Sequence, residues 1–200
     1  MIGCVVLSTD RIRMLFLASQ SPRRRQLLQQ LGVEFGILEV DVPEVPQPGE
    51  PPADYVRRVA REKAGAGLLQ VVSTKGAKVI GADTEVILGG EVFGKPADDA
   101  DAARMLRALS GRTHDVVSAV YVVDAAREAE RVSVTKVRFA AIDDRAIEQY
   151  LASGEHAGKA GAYAIQGRAA AFVERIEGSY TGVMGLPLFE TAALLREMTA

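Results

Sequence analysis

The sequence predicts an α/β fold in which helices flank a mixed sheet, and two observations carry that expectation. Segments with helical periodicity alternate with short apolar strand-like runs. Hairpin signals also occur: Gly89-Gly90 between two apolar runs, and two long strand patterns at residues 116–123 and 132–139. Hairpins mixed with helices argue against a purely parallel, doubly wound sheet. At 200 residues the chain suits one domain with a cleft, with room for two small lobes.

Taken in order, residues 14–18 read as an apolar strand. Ser21-Pro22 then supplies an N-cap with proline in the first helical position. Leu27, Leu28 and Leu31 give this helix an apolar face, and Gly32 ends it. Five prolines within residues 41–52 rule out regular structure and predict a loop arching away from the core. A helix over residues 53–69 follows, with Val56, Val59, Ala60, Ala64 and Gly67 as its buried stripe. Residues 78–88 are strand-like, interrupted by Gly81-Ala82-Asp83-Thr84, and lead through the glycine hairpin to residues 91–93. Beyond Lys95-Pro96, residues 98–109 form a helix with Ala102, Met105, Leu106 and Leu109 inward, an acidic first turn and a stop at Gly111. The two long strands come next, then a helix at 144–152, a glycine-rich stretch at 154–167, a strand near 171–176 and a last helix at 188–198.

Bulk properties exclude several classes. With 24 Lys+Arg against 26 Asp+Glu, the net charge of -2 gives no global pull toward nucleic acid or anionic membrane. No segment reaches the length of a membrane span. The single cysteine, Cys4, excludes an internal disulfide and fits a reducing cytoplasm. The apolar run at the start lacks a preceding basic region, unlike a secretory signal. Because Met14 directly precedes the first strand, residues 1–13 read as an extension and 14–200 as the single domain. Neither a GxxxxGK[ST] nor a GxGxxG motif occurs. His114 and His156 lack zinc-pair spacing and read as structural or surface residues.

Some residues resist a purely structural account. Arg23, Arg24 and Arg25 crowd the first turn of a helix, where cations oppose the macrodipole. A bound phosphate would resolve that conflict, since helix N–H groups and guanidinium forks both favour anions; a solvated basic patch is the alternative. Lys63 lies seven residues after Val56 and four after Val59, on the apolar stripe of its helix, so it faces inward as a ligand or as a snorkelling side chain. Asp83 directly follows an apolar run and so sits at or near a strand end, where α/β enzymes gather chemistry; an Asx-turn is the bland alternative. Lys95 and Glu44 carry no signal alone.

Taken together, residues 17–24 (Leu-Ala-Ser-Gln-Ser-Pro-Arg-Arg), Gly81-Ala82-Asp83-Thr84, Gly94-Lys95-Pro96, residues 109–114 (Leu-Ser-Gly-Arg-Thr-His), residues 159–167 (Lys-Ala-Gly-Ala-Tyr-Ala-Ile-Gln-Gly) and Gly185-Leu186-Pro187-Leu188 strongly resemble the Maf family of nucleoside triphosphate pyrophosphatases. The matches run in order through almost the whole chain. The resemblance implies two α/β lobes around a central cleft, as in inosine triphosphate pyrophosphatases, a homodimer, and hydrolysis to nucleoside monophosphate and pyrophosphate. It implies Asp83 as proton acceptor and Glu44 with Asp83 as holders of a divalent cation, Mg²⁺ or Mn²⁺. Ser19, Arg23, Arg24, Lys63 and Lys95 would line the triphosphate, and Arg23, Thr84 and Gln166 would bear on substrate choice. The late motif is similar to the branch acting on dTTP and UTP, and the Gln166 amide can offer donor and acceptor together to a pyrimidine. A nucleotide-binding regulator of cell division is the alternative role. Glu85, where an apolar residue is commoner in the family, would either point outward or add a carboxylate near the metal. His156-Ala157-Gly158 is a second departure.

Overall fold

The computed structural model describes residues 14–198, so the extension expected over residues 1–13 lies outside the described residues. The first apolar run is strand β1 (Leu15–Ala18), followed by helix α1 (Pro22–Gln29). Ser21 caps α1 as expected, its hydroxyl accepting from the Arg24 amide. Strand β2 (Gly36–Leu38) then pairs parallel with β1. Three residues before a proline-rich loop carry no periodicity, so the sequence alone did not mark this strand.

Helix α2 (Pro52–Gln70) buries Val56, Val59, Ala60, Lys63, Ala64 and Gly67, which is the predicted stripe, lysine included. It lies against β3 (Lys78–Leu88). The expected interruption of β3 at Gly81 to Thr84 is absent: the strand is continuous over 11 residues. Gly81 is there for close approach. A Cβ at this position would overlap the backbone of Ala60 and Ala64 in α2, so glycine lets the helix sit directly on the strand.

Strand β4 (Glu91–Phe93) folds back on β3 through the Gly89-Gly90 turn, and α3 (Asp99–Leu109) follows, capped by Asp98. Strands β5 (Thr113–Val123) and β6 (Glu128–Phe139) form the long antiparallel pair. After α4 (Asp144–Leu151), two 3₁₀ turns at Ala160–Ala162 and Arg168–Phe172 organise the glycine-rich stretch. Strand β7 (Val173–Glu177), the short α5 (Tyr180–Val183) and α6 (Leu188–Glu197) complete the described chain.

One seven-stranded sheet runs in the order β2-β1-β3-β5-β6-β7, with β4 attached to β3 off that path. The β2-β1-β3 pairs are parallel and the pairs from β3 through β7 antiparallel, so the sheet is mixed, as expected. Side chains of β3 alternate between layers: Val79 joins the cluster beneath α2, while Ile80 and Ala82 join one with α1 and α6 residues. Val86 and Leu88 enter a third cluster with α3, α4 and the 3₁₀ turns.

The edge of β3 opposite β5 is shared by two strands. β1 covers Lys78 to Ile80, and β4 covers Val86 to Leu88. Between them, Gly81 to Glu85 has no strand partner on that side, which leaves a notch in the sheet.

Candidate active site

A cavity of about 1080 Å³ opens at this notch. Because the strand is bare on one edge there, side chains from both of its faces reach the same space, Asp83 and Glu85 from one and Thr84 from the other. This corrects the strand-end placement of Asp83: the residue lies mid-strand, at a gap in the sheet. Ser19, Arg23, Arg24, Glu44, Lys63, Asp83, Thr84, Lys95 and Gln166 all line the one cavity. Arg25 faces solvent and does not.

Each lining side chain has an identifiable support. Arg24 donates from Nε to the Gly185 carbonyl at 2.8 Å, joining the first helix to the loop before α6. Gly185 adopts φ of +116°, a conformation open to glycine, which turns that carbonyl toward Arg24. Burial lowers the pKa of Arg23, although Arg23 remains protonated at any working pH. The loop bearing Glu44 does not arch away, as its prolines suggested. Arg58 of α2 draws it back, donating to both Glu50 oxygens at 2.7 and 2.8 Å and to the Val45 carbonyl at 3.0 Å.

Lys63 Nζ bridges two carboxylates, 2.7 Å from Asp83 Oδ1 and 2.6 Å from Glu44 Oε1. Lys95, exposed in the bend two residues beyond β4, pairs with the other oxygen of Glu44. Burial works to raise Glu44, but hydrogen bonds and charge from Lys63 and Lys95 outweigh it and hold the carboxyl down at about 2. Glu85 resolves its sequence ambiguity by facing inward. It is 7% exposed, and burial first, then the charges of Asp83 and Glu44, push its carboxyl up to about 8. Asp83 Oδ2 and Glu85 Oε2 are buried without a hydrogen-bond partner.

Among the described residues no three His, Cys, Asp or Glu side chains are gathered so as to hold a metal by themselves. The donors present are hard carboxylate oxygens, those of Glu44 and Asp83, brought together on Lys63. That set suits an ion that takes one or two protein carboxylates and completes its shell from phosphate and water.

The far rim carries Gln166 on a segment fixed from below. His114 Nε2 lies 2.9 Å from the Tyr163 hydroxyl, and Tyr150 OH accepts from the Ala164 amide at 3.1 Å. His114 is therefore structural, as read from sequence, and burial pushes it down to about 4. His156 is buried too, 2.9 Å from Asp99 at the start of α3.

The sequence left Glu85 open between an outward position and a carboxylate beside the site, and it gave no sign of Ser118. Glu85 was findable, since a residue two places from Asp83 on a strand shares its face. Ser118, directly opposite Thr84 on β5, required the strand register.

A family model described as Maf-like protein matches residues 14–198. A dTTP/UTP pyrophosphatase of Cupriavidus pinatubonensis is 56% identical over 191 residues, covering 92% of this chain and 96% of its own. A nucleoside triphosphate pyrophosphatase of Xylella fastidiosa (strain M23) is 57% identical over 183 residues, covering 91% and 97%. Among solved structures, the Ham1 protein of Staphylococcus aureus overlaps 64% of this chain and 72% of its own at 13% identity and a TM-score of 0.41, too loose an overlap to add to the topology above. With the family model spanning every described residue, the chain belongs to the Maf family.

Proposed function

We propose that this protein hydrolyses pyrimidine nucleoside triphosphates, dTTP and UTP foremost, to the monophosphate and pyrophosphate. The observation that carries the reading is one cavity that sets Arg23, Arg24, Lys63 and Lys95 around Asp83, whose second oxygen is buried and unpartnered. The names of the similar proteins from Cupriavidus and Xylella support the substrate class.

The α1 start and the four cations receive the triphosphate, the free N–H groups of the first turn adding to their charge. Lys63 and Lys95 exchange Glu44 for phosphate oxygens. Asp83, held by Lys63 through Oδ1, accepts a proton at Oδ2 from a water whose oxygen attacks the α-phosphorus. The bond from that phosphorus to the bridging oxygen breaks, and pyrophosphate leaves with the electron pair, its charge neutralised by the cations. Glu44 and Asp83 would hold a divalent cation; when bound, it supplies charge neutralisation across the phosphates.

The test is pyrophosphate release from dTTP, UTP, CTP and 7-methyl-GTP by wild type and Asp83→Asn. Asp83→Asn is expected to bind nucleotide while losing roughly 10²- to 10⁴-fold in turnover, the worth of a general base. Near-normal turnover by that variant, or a preference for the methylated purine, contradicts the reading.

A further inference from the structure

Three hydroxyl-bearing and backbone groups form a chain running away from the cavity. Thr84 Oγ1 lies 2.8 Å from Ser118 Oγ, and Ser118 Oγ lies 2.7 Å from the Gly182 carbonyl of α5. Ser118 is fully buried and does not line the cavity; Thr84 does. A hydroxyl has one hydrogen, and a carbonyl oxygen can only accept. The Ser118 hydrogen is therefore committed to Gly182. The bond between the two hydroxyls must then use the Thr84 hydrogen, with Thr84 as donor. What Thr84 has left for the cavity is lone pairs alone.

An acceptor-only hydroxyl cannot serve a phosphate oxygen, which is itself an acceptor. Its partner must bring an N–H or O–H. Uracil and thymine present one ring donor, the imino N3–H, flanked by carbonyls that suit the amide N–H of Gln166. Cytosine has an acceptor at N3, and its amino donor lies one ring position away. Resting on the pyrimidine reading above, we infer that Ser118 is a positioning residue: it fixes the Thr84 hydroxyl as an acceptor toward the base and so favours uracil and thymine over cytosine.

The experiment compares kcat/KM for UTP and CTP in wild type, Ser118→Ala, Thr84→Val, Thr84→Ser and the double variant Ser118→Ala/Thr84→Val. In Ser118→Ala the Thr84 hydrogen is released and can be donated to N3 of cytosine. The UTP-to-CTP ratio is expected to fall roughly three- to tenfold, the worth of one neutral hydrogen bond. Thr84→Ser, which keeps the hydroxyl, retains the wild-type ratio. In the Thr84→Val background, Ser118→Ala changes the ratio no further. A merely structural role for Ser118, through its bond to α5, lowers both substrates together and leaves the ratio fixed; that result overturns the inference. So does a ratio near one in wild type, the result expected if Thr84 accepts from the sugar, and it leaves the pyrophosphatase reading standing. Turnover of neither UTP nor CTP, with none of dTTP either, removes both.

Discussion

Glu85 shows how much one side chain can tell about its surroundings. It is buried on the Asp83 face of β3 with Oε2 unpartnered, and burial among carboxylates moves it from an ordinary 4.5 to about 8. Between those values the folded protein keeps a proton that the unfolded chain has lost, so stability falls as pH rises through this window. Below 4.5 both states are protonated and the penalty vanishes. Glu85→Gln, which is neutral at every pH, is expected to flatten this slope and to exceed wild-type stability by a few kcal/mol at pH 8 and above. Urea unfolding midpoints from pH 5 to pH 9, with chelator present, measure it; parallel curves for the two proteins contradict the burial argument. Lys63 is the opposite case, a buried ammonium satisfied by Glu44 and Asp83. Its place on the apolar stripe was readable from spacing, but its partners were not, because Glu44 comes from an irregular loop and Asp83 from a strand.

The pairing of α2 with β3 is what turns those residues into a site. Gly81 has no room for a Cβ against the helix backbone at Ala60 and Ala64, so the two elements are as close as main chains allow. Gly81→Ala is expected to push α2 outward, costing roughly 1–3 kcal/mol or more in stability and lengthening the Lys63–Asp83 contact. A urea midpoint and pyrophosphate release measured together check this; full stability in the variant refutes the close-packing role. Most helices and long strands were legible, since their apolar periods are long and their caps explicit, as at Ser21 and Asp98. The tertiary features were not. Nothing in the spacing of Gly81-Ala82-Asp83-Thr84 distinguishes a break from a continuous strand packed under a helix, and β2 and α5 are too short to show a period. The glycine that suggested interruption was instead the condition for contact.

At the scale of the molecule, the cavity draws lining residues from Ala18 to Gly185, nearly the whole described chain, and Arg24 reaches Gly185 across 161 positions of sequence. A triphosphate bound there ties the first helix, α2, β3 and the late loops together, so its binding energy belongs to global stability. Asp83→Asn with UTP at about 100 times its dissociation constant should gain about 2.7 kcal/mol, seen as a shift of a single unfolding transition. Protection confined to one segment, with that transition unmoved, contradicts such coupling. The notch in the sheet has a further bearing on how the protein lives in a crowded solution. An unpaired strand edge invites other chains to add a strand, the usual start of edge-to-edge aggregation. Here the bare stretch is only Gly81 to Glu85, stopped at one end by β1 and at the other by β4, and flanked by the charges of Lys63 and Asp83. An intruding strand finds too little length to pair and too much charge to bury. The opening that admits a small anionic molecule is thereby closed to polypeptide.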